Sequence, residues 1–225
     1  MTLRNYQETI SDSAAESLHT CGMAYLAMEV RTGKTFTALA AAEKYGAKSV
    51  LFVTKKNALP SIEADYGTLS PAYALKAVNF ESLHKVTGTY DLVIIDEAHS
   101  IGAFPKPSKR AQELKRICRG LPVMYLSGTP SPESYSQMYH QLWVSSRSPW
   151  AAYPNFYKWV NAGYVTRQTR VINGFSINDY SKADEAKVKA DIRPFMFTYT
   201  QEQAGFEISL KIETLTVRMI TIPPS

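Results

Sequence analysis

Three short clusters hold residue types suited to chemistry: Gly33-Lys34-Thr35, Asp96-Glu97-Ala98-His99 and Ser127-Gly128-Thr129-Pro130. The first follows an apolar run, Ala24-Tyr25-Leu26-Ala27, and precedes an alanine-rich stretch, Phe36 to Tyr45. A strand, then a loop ending in Gly-Lys-Thr, then a helix is an arrangement that holds a nucleoside triphosphate. The helix start offers unpaired N–H groups and a positive dipole end to phosphates. Lys34 has the length to reach the β- and γ-phosphates, and the Thr35 hydroxyl suits Mg²⁺. The full phosphate-loop pattern wants glycine where Met28 stands, so Gly-Lys-Thr alone fits an ordinary helix start equally well.

Asp96 and Glu97 end the apolar run Leu92-Val93-Ile94-Ile95. A carboxylate after a buried strand, downstream of such a loop, is placed to hold Mg²⁺, and a second one beside it to orient and deprotonate water. The alternative is a solvated acidic turn; the loop upstream favours the chemical reading. His99 alone reads as a satisfied histidine, and Ser127 and Thr129 as turn residues before Pro130. Their position at a neighbouring strand end suggests hydrogen bonding to the acidic cluster instead.

The elements that position these clusters alternate. The pattern predicts strands over Ala24–Glu29, Ser49–Thr54, Leu75–Phe80, Leu92–Asp96 and Val123–Ser127. Between them it predicts helices over 8–21 (capped by Ser11 or Asp12), Thr35–Lys44 (ended by Gly46), Asn57–Tyr66, Glu81–Val86 and Lys109–Arg119. Helices over Glu133–Val144 and Pro154–Asn161 follow. The expected fold is α/β, a three-layer P-loop domain with a mostly parallel central sheet. In such sheets ligands sit beyond the carboxyl ends of the strands, where all three clusters fall. After residue 162 the pattern changes to a β-hairpin between Tyr164 and Ile177 turning at Asn173-Gly174, a helix over Lys182–Ile192, and a strand or strand pair over Ile208–Ile222.

Composition bounds the rest. The chain has 225 residues, 45% of them hydrophobic, which suits a globular domain. No apolar run reaches the roughly 20 residues of a membrane span, and Met1–Asn5 has no apolar signal core. Two cysteines, Cys21 and Cys118, form no disulfide framework and read as buried thiols in a reducing compartment, so the expected location is cytoplasmic. The net charge of +5 suits a polyanionic partner as well as a mildly basic soluble protein. The basic strip Lys106, Lys109, Arg110, Lys115, Arg116 and Arg119 reads first as a solvated helix face. Trp150, Tyr153, Phe156, Tyr157 and Trp159 read first as core.

The ordered set Gly-Lys-Thr, Asp-Glu-Ala-His, Ser-Gly-Thr-Pro resembles motifs I, II and III of superfamily 2 helicases and translocases. It resembles most the Swi/Snf-like branch with its phage and bacterial members. Leu3-Arg4-Asn5-Tyr6-Gln7 is similar to the branch's opening Leu-Arg-x-Tyr-Gln, whose glutamine reads adenine. Glu29-Val30-Arg31-Thr32-Gly33-Lys34-Thr35 is similar to its Glu-Met-x-x-Gly-Lys-Thr, which also lacks the first glycine. Asn79-Phe80-Glu81-Ser82-Leu83 resembles motif Ib, and Ile192–Met196 the segment closing the first lobe.

The resemblance implies a RecA-like ATPase lobe over 1–198, with a helical and hairpin insertion over about 131–192, and a tail over 199–225 leading towards a second lobe. It implies ATP and Mg²⁺ as cofactors, with Arg4, Gln7, Arg31, Thr32, Gly33, Lys34, Thr35 and Phe36 around the nucleotide. Thr35 and Asp96 would hold the metal, Glu97 would act as base with Lys34 and Asp96, and His99, Ser127 and Thr129 would couple nucleotide state to DNA. Lys55, Lys56, Asn79 and Phe80 match positions that touch nucleic acid, here expected to be duplex DNA bound without sequence preference. The usual basic run after the lobe-closing segment is replaced by Phe197-Thr198-Tyr199-Thr200-Gln201, and nothing resembling motifs IV to VI follows. The expectation is therefore a first lobe that hydrolyses ATP slowly by itself, since an arginine finger contributes on the order of 10³–10⁵ in rate. A stand-alone nucleotide-binding or interaction module is the second reading. An unrelated P-loop NTPase such as a kinase is the third, opposed by Gln7 and Ser-Gly-Thr-Pro.

Overall fold

The computed structural model describes residues 3–172 and 174–203. Its centre is a six-stranded sheet, all parallel: β1 (Met23–Met28), β2 (Ser49–Thr54), β3 (Ala74–Asn79), β4 (Leu92–Ile95), β5 (Val123–Leu126) and β8 (Met196–Tyr199). The order is β3-β2-β4-β5-β1-β8. β2, β4 and β5 read as unbroken apolar runs because both their faces are covered.

The covering layers follow the two-residue strand period. Ala24, Leu26, Phe52, Ile94 and Met124 pack against α1 (Asn5–Thr20), α2 (Lys34–Tyr45) and α3 (Leu59–Leu69). Tyr25, Leu51, Val93, Ile95 and Tyr125 face the opposite way, onto α4 (Lys109–Ile117), α5 (Gln137–Trp143), α6 (Phe156–Trp159) and α7 (Glu185–Ile192). The result is a three-layer α/β fold consistent with a RecA-like arrangement, plus a separate antiparallel hairpin, β6 (Gln168–Ile172) and β7 (Phe175–Asp179). No helix among the described residues is long and apolar enough to cross a membrane.

Several expected boundaries move, each for a local reason. α1 begins at Asn5, not at residue 8, because the Gln7 side chain reaches back to accept from the Arg4 N–H at 2.9 Å. The supposed caps lie inside the helix: Ser11 donates to the Glu8 carbonyl, and Asp12 pairs with Lys44 at 2.7 Å. α5 starts only at Gln137, since Ser134 and Ser136 spend their hydroxyls on carbonyls of a distant segment. α6 ends at Trp159 and passes into a wide turn over Val160–Tyr164, broken at Gly163 with φ 86°. α7 is shorter than expected and is capped by Asp184, which accepts from the Lys187 N–H.

β8 has no counterpart in the sequence-based pattern, yet it pairs with β1 from Tyr25↔Met196 to Met28↔Tyr199. The hairpin forms about the expected turn but spans Gln168–Asp179, Tyr164 belonging to the preceding turn; Asn173 lies outside the described residues. The expected strand over 208–222 and the tail beyond 203 also lie outside them. Cys118 is buried, and burial pushes its thiol up to about 12; Cys21, at the end of α1, is only half-buried. Trp150, Phe156 and Trp159 are core residues.

Candidate nucleotide site

β4, β5 and β1 are neighbours in the sheet, so the loops at their carboxyl ends are neighbours too. These loops carry the acidic cluster, Ser127–Pro130 and the Gly-Lys-Thr segment. The chain leaves β1 at Met28, and crossing from β1 to β2 spans β5 and β4. Such an order reversal opens a crevice at the strand ends.

The loop after β1 is held by its own residues. Thr32 donates its hydroxyl to the Glu29 carbonyl at 2.6 Å. Arg31 and Gly33 both take positive φ, 65° and 74°. Lys34 lies in the first turn of α2, and its Nζ donates to the Met28 carbonyl at 3.4 Å. Met28, the residue standing in place of a glycine, is fully buried at the end of β1.

A second wall comes from α1. Gln7 Nε2 donates to the Gly33 carbonyl at 3.3 Å, and the Tyr6 hydroxyl donates to the Thr32 carbonyl at 2.9 Å. A Cβ on Gly33 would lie 2.1 Å from Gln7 Nε2, so this approach requires glycine. Arg4, Gln7, Arg31, Gly33 and Phe36 line a cavity of about 150 Å³ together with Tyr6. Five of the eight residues expected around the nucleotide thus line one cavity, and Thr32, Lys34 and Thr35 are not among its lining residues.

The acidic turn lies across the crevice. Asp96 Oδ2 accepts from the Thr54 hydroxyl at 2.7 Å. Burial raises the Asp96 carboxyl above the ordinary carboxylate range, while Thr54 and the nearby Lys34 charge pull the other way. Glu97 adopts left-handed backbone, φ 52°, which costs a non-glycine residue on the order of 1–3 kcal/mol and marks a turn held by its surroundings. Its Oε2 lies 3.4 Å from His99 Nδ1 and 4.0 Å from Lys55 Nζ.

His99 Nδ1 is 2.9 Å from Ser127 Oγ, which also accepts from the Thr129 N–H at 3.1 Å. A carboxylate beside Nδ1 favours the tautomer with its proton there. The run Glu97–His99–Ser127–Thr129 therefore links the β4 and β5 turns. Among the described residues no group of three or more His, Cys, Asp or Glu forms a metal cage. Thr35 lies in the first turn of α2 and Asp96 follows β4; a hydroxyl and a carboxylate are ligand types that Mg²⁺ takes beside waters and phosphate oxygens.

The four expected nucleic-acid residues leave the carboxyl ends of two paired strands: Thr54 and Asn79 are register partners of β2 and β3, so Lys55 and Lys56 follow beside Asn79 and Phe80. Lys55 stands beside Glu97, and Lys56 opens an exposed turn. Asn79 caps the turn Phe80–Lys85 by accepting from the Ser82 N–H, and Phe80 is buried. Three of the six residues of the basic strip have internal partners: Arg110 pairs with Glu81, Arg116 with Glu113, and Lys115 donates to the Trp143 carbonyl.

Sequence reading missed several supports of the site. Thr54 ends β2 beside β4, so adjacent strand ends were the signal for its bond to Asp96. Glu29 gives no such local signal. Its N–H donates to the Tyr199 carbonyl and its Oε2 accepts from the Gln201 N–H at 2.8 Å, while Gln201 Nε2 donates to the Val30 carbonyl. Tyr199 also stacks on Tyr6 with ring centres 4.1 Å apart. A larger cavity, about 480 Å³, lies beside this junction and is lined by Glu29, Gly128, Pro130, Met138 and Met196 among others. Comparison with protein-family models and with curated proteins finds no match.

Proposed function

We propose that this chain is the first ATP-binding lobe of a DNA-dependent ATPase of the helicase or translocase type, related to the Swi/Snf-like branch of superfamily 2. One observation carries the reading. Lys34, the Asp96–Glu97 pair and the His99–Ser127 bond occupy the carboxyl ends of three adjacent parallel strands. Phosphate-binding, metal-holding and base functions are needed within one crevice, and these residue types supply them.

In this reading Gln7, Arg4 and Phe36 border the adenine, and Thr32, Gly33 and Lys34 cradle phosphates. Arg31 borders the same cavity. Thr35 and Asp96 would hold Mg²⁺, which would neutralise charge on the phosphates. Glu97 accepts a proton from the attacking water, and its neighbours His99 and Lys55 steady its charge. Ser127 and Thr129 pass the state of that turn to the β5 loop. Efficient turnover draws on a second lobe supplied in cis or trans, and the site of action is the cytoplasm.

The test is a titration with a fluorescent ATP analogue and Mg²⁺. Lys34→Ala is expected to lose binding and Glu97→Gln to keep it. With a second lobe added, DNA-stimulated phosphate release is expected from the parent chain and not from Glu97→Gln. Equal nucleotide affinity for the parent and Lys34→Ala would sink the proposal.

A further inference from the structure

The hairpin β6–β7 has no packed layer on either face. Every side chain described from Thr166 to Asn178 is exposed. Val171 is 73% exposed, Phe175 75% and Ile177 48%. A two-stranded ribbon is marginal in water by itself, and clustered exposed apolar side chains mark a contact surface.

The charges on the ribbon say what kind of contact. From Thr166 to Lys182 the basic residues are Arg167, Arg170 and Lys182, and the one acid is Asp179. Arg170 Nε holds Asp179 at 2.6 Å, so the acid is already neutralised. Arg170 and Ile177 are direct cross-strand partners, and Phe175 lies two residues from Ile177. Cation and apolar side chains therefore share one face. At the ribbon's base the Arg167 guanidinium lies 5.8 Å from the Tyr180 ring, and Tyr180 meets the exposed Tyr157.

Arginines interleaved with exposed aromatic and apolar side chains match a nucleic-acid strand whose bases are unpaired. Bases stack on apolar and aromatic faces while guanidinium groups take phosphates. A paired duplex hides its base faces and would leave Phe175 and Ile177 without a partner. An apolar protein groove would cover those two but would leave the Arg167 charge uncompensated, since Arg170 is already paired with Asp179.

The base of the ribbon is tied to the candidate nucleotide site. Ser136 donates to the Tyr180 carbonyl at 2.6 Å and Ser134 to the Ser181 carbonyl at 2.5 Å. Both serines belong to the loop that continues from Ser127–Pro130. We infer that the hairpin is a binding element for unpaired nucleic acid, with Phe175 and Ile177 against bases and Arg167 on phosphate. The inference deepens the DNA-dependent reading above and rests on it for its link to ATP, though binding itself is read without nucleotide.

The experiment uses the full chain, with fluorescence anisotropy of labelled oligothymidylate and of a blunt duplex. Phe175→Ala is expected to weaken single-strand binding roughly tenfold and leave duplex binding unchanged. Phe175→Trp is expected to restore it. Arg167→Gln should flatten the salt dependence of single-strand binding. Thermal unfolding at the parent temperature for these exposed substitutions would exclude misfolding as the cause. Unchanged single-strand affinity in Phe175→Ala overturns the inference. So does a change of oligomeric state in that variant, which would assign the surface to a second copy of the chain. Intact nucleotide and duplex binding with no Phe175 effect removes the hairpin role alone. A Phe175 effect in a chain whose Lys34→Ala variant binds nucleotide normally removes the ATPase reading alone.

Discussion

His99 Nδ1 and Ser127 Oγ, 2.9 Å apart, are the bond that joins the turn after β4 to the turn after β5. Ser127 is fully buried and also serves the Thr129 N–H. In Ser127→Ala both partners lose their acceptor, at about 1–3 kcal/mol. The expected result in thermal unfolding is a drop of roughly 2–4 °C per kcal/mol. Binding of a fluorescent ATP analogue is expected to persist, since the Ser127 hydroxyl bonds His99 and the Thr129 N–H and not Gly33, Lys34 or Thr35. An unchanged melting temperature would show that the bond contributes nothing to the fold.

Gly33 and Gly46 allow a controlled comparison at the two ends of α2. Both have positive φ, 74° and 84°. Alanine at either position costs about 1–2 kcal/mol in backbone strain. Only at Gly33 does the new Cβ meet a neighbour, the Gln7 amide; at Gly46 nothing lies within 4 Å. Gly33→Ala should therefore lose both stability and nucleotide affinity, and Gly46→Ala stability alone. Equal nucleotide titrations for the two variants would refute the role of the Gln7–Gly33 approach.

Asp96 is held at a cost to the fold. Burial raises its carboxyl above the usual range, despite Thr54 and Lys34. Its protonated form is the one the fold prefers, so its stabilising effect is complete at low pH and is lost as pH rises through the raised value. Asp96→Asn should melt higher than the parent at neutral pH, with the gap closing below the ordinary carboxylate range. The same variant should lose Mg²⁺-dependent nucleotide binding. A lower melting temperature at neutral pH would contradict this account.

His140 has the opposite sign. It is buried, and its Nδ1–H donates to the Ala103 carbonyl at 2.7 Å. Burial, with a smaller push from Lys115, lowers it from 6.5 to about 4. The stability it contributes is present above pH 6.5 and is lost as pH falls towards 4, on the order of 3 kcal/mol in all. His140→Asn keeps a donor for Ala103 and removes the titration. Its melting temperature should fall less steeply over that interval, and parallel curves would exclude His140 as a source of acid sensitivity.

The interior of the fold was legible because its signals are local. Ser49–Thr54 was readable to the residue, and the carboxyl-end clusters follow directly from apolar runs ending in polar residues. β8 was not readable. It is four residues long, only partly buried, and preceded by Pro194, so it has neither the length nor the apolar continuity of the inner strands. The start of α1 was misjudged because Ser11 and Asp12 look like caps until Gln7 is seen reaching back to Arg4. At the site, Gly33-Lys34-Thr35 and Asp96-Glu97 stood out by their places after apolar runs, whereas Gln7 was marked only by the family resemblance. The bonds that fix them did not stand out, since Glu29 and Gln201 meet across 172 positions of chain.

That last pairing ties the loop after β1 to the segment that follows β8. Gln201 grips Glu29 and Val30 at once, and Tyr199 is paired to the end of β1 and stacked on Tyr6. Residues 199–201 thus clasp the first two residues of that loop from the edge of the sheet, so a displacement of this short segment is shared by Glu29 and Val30.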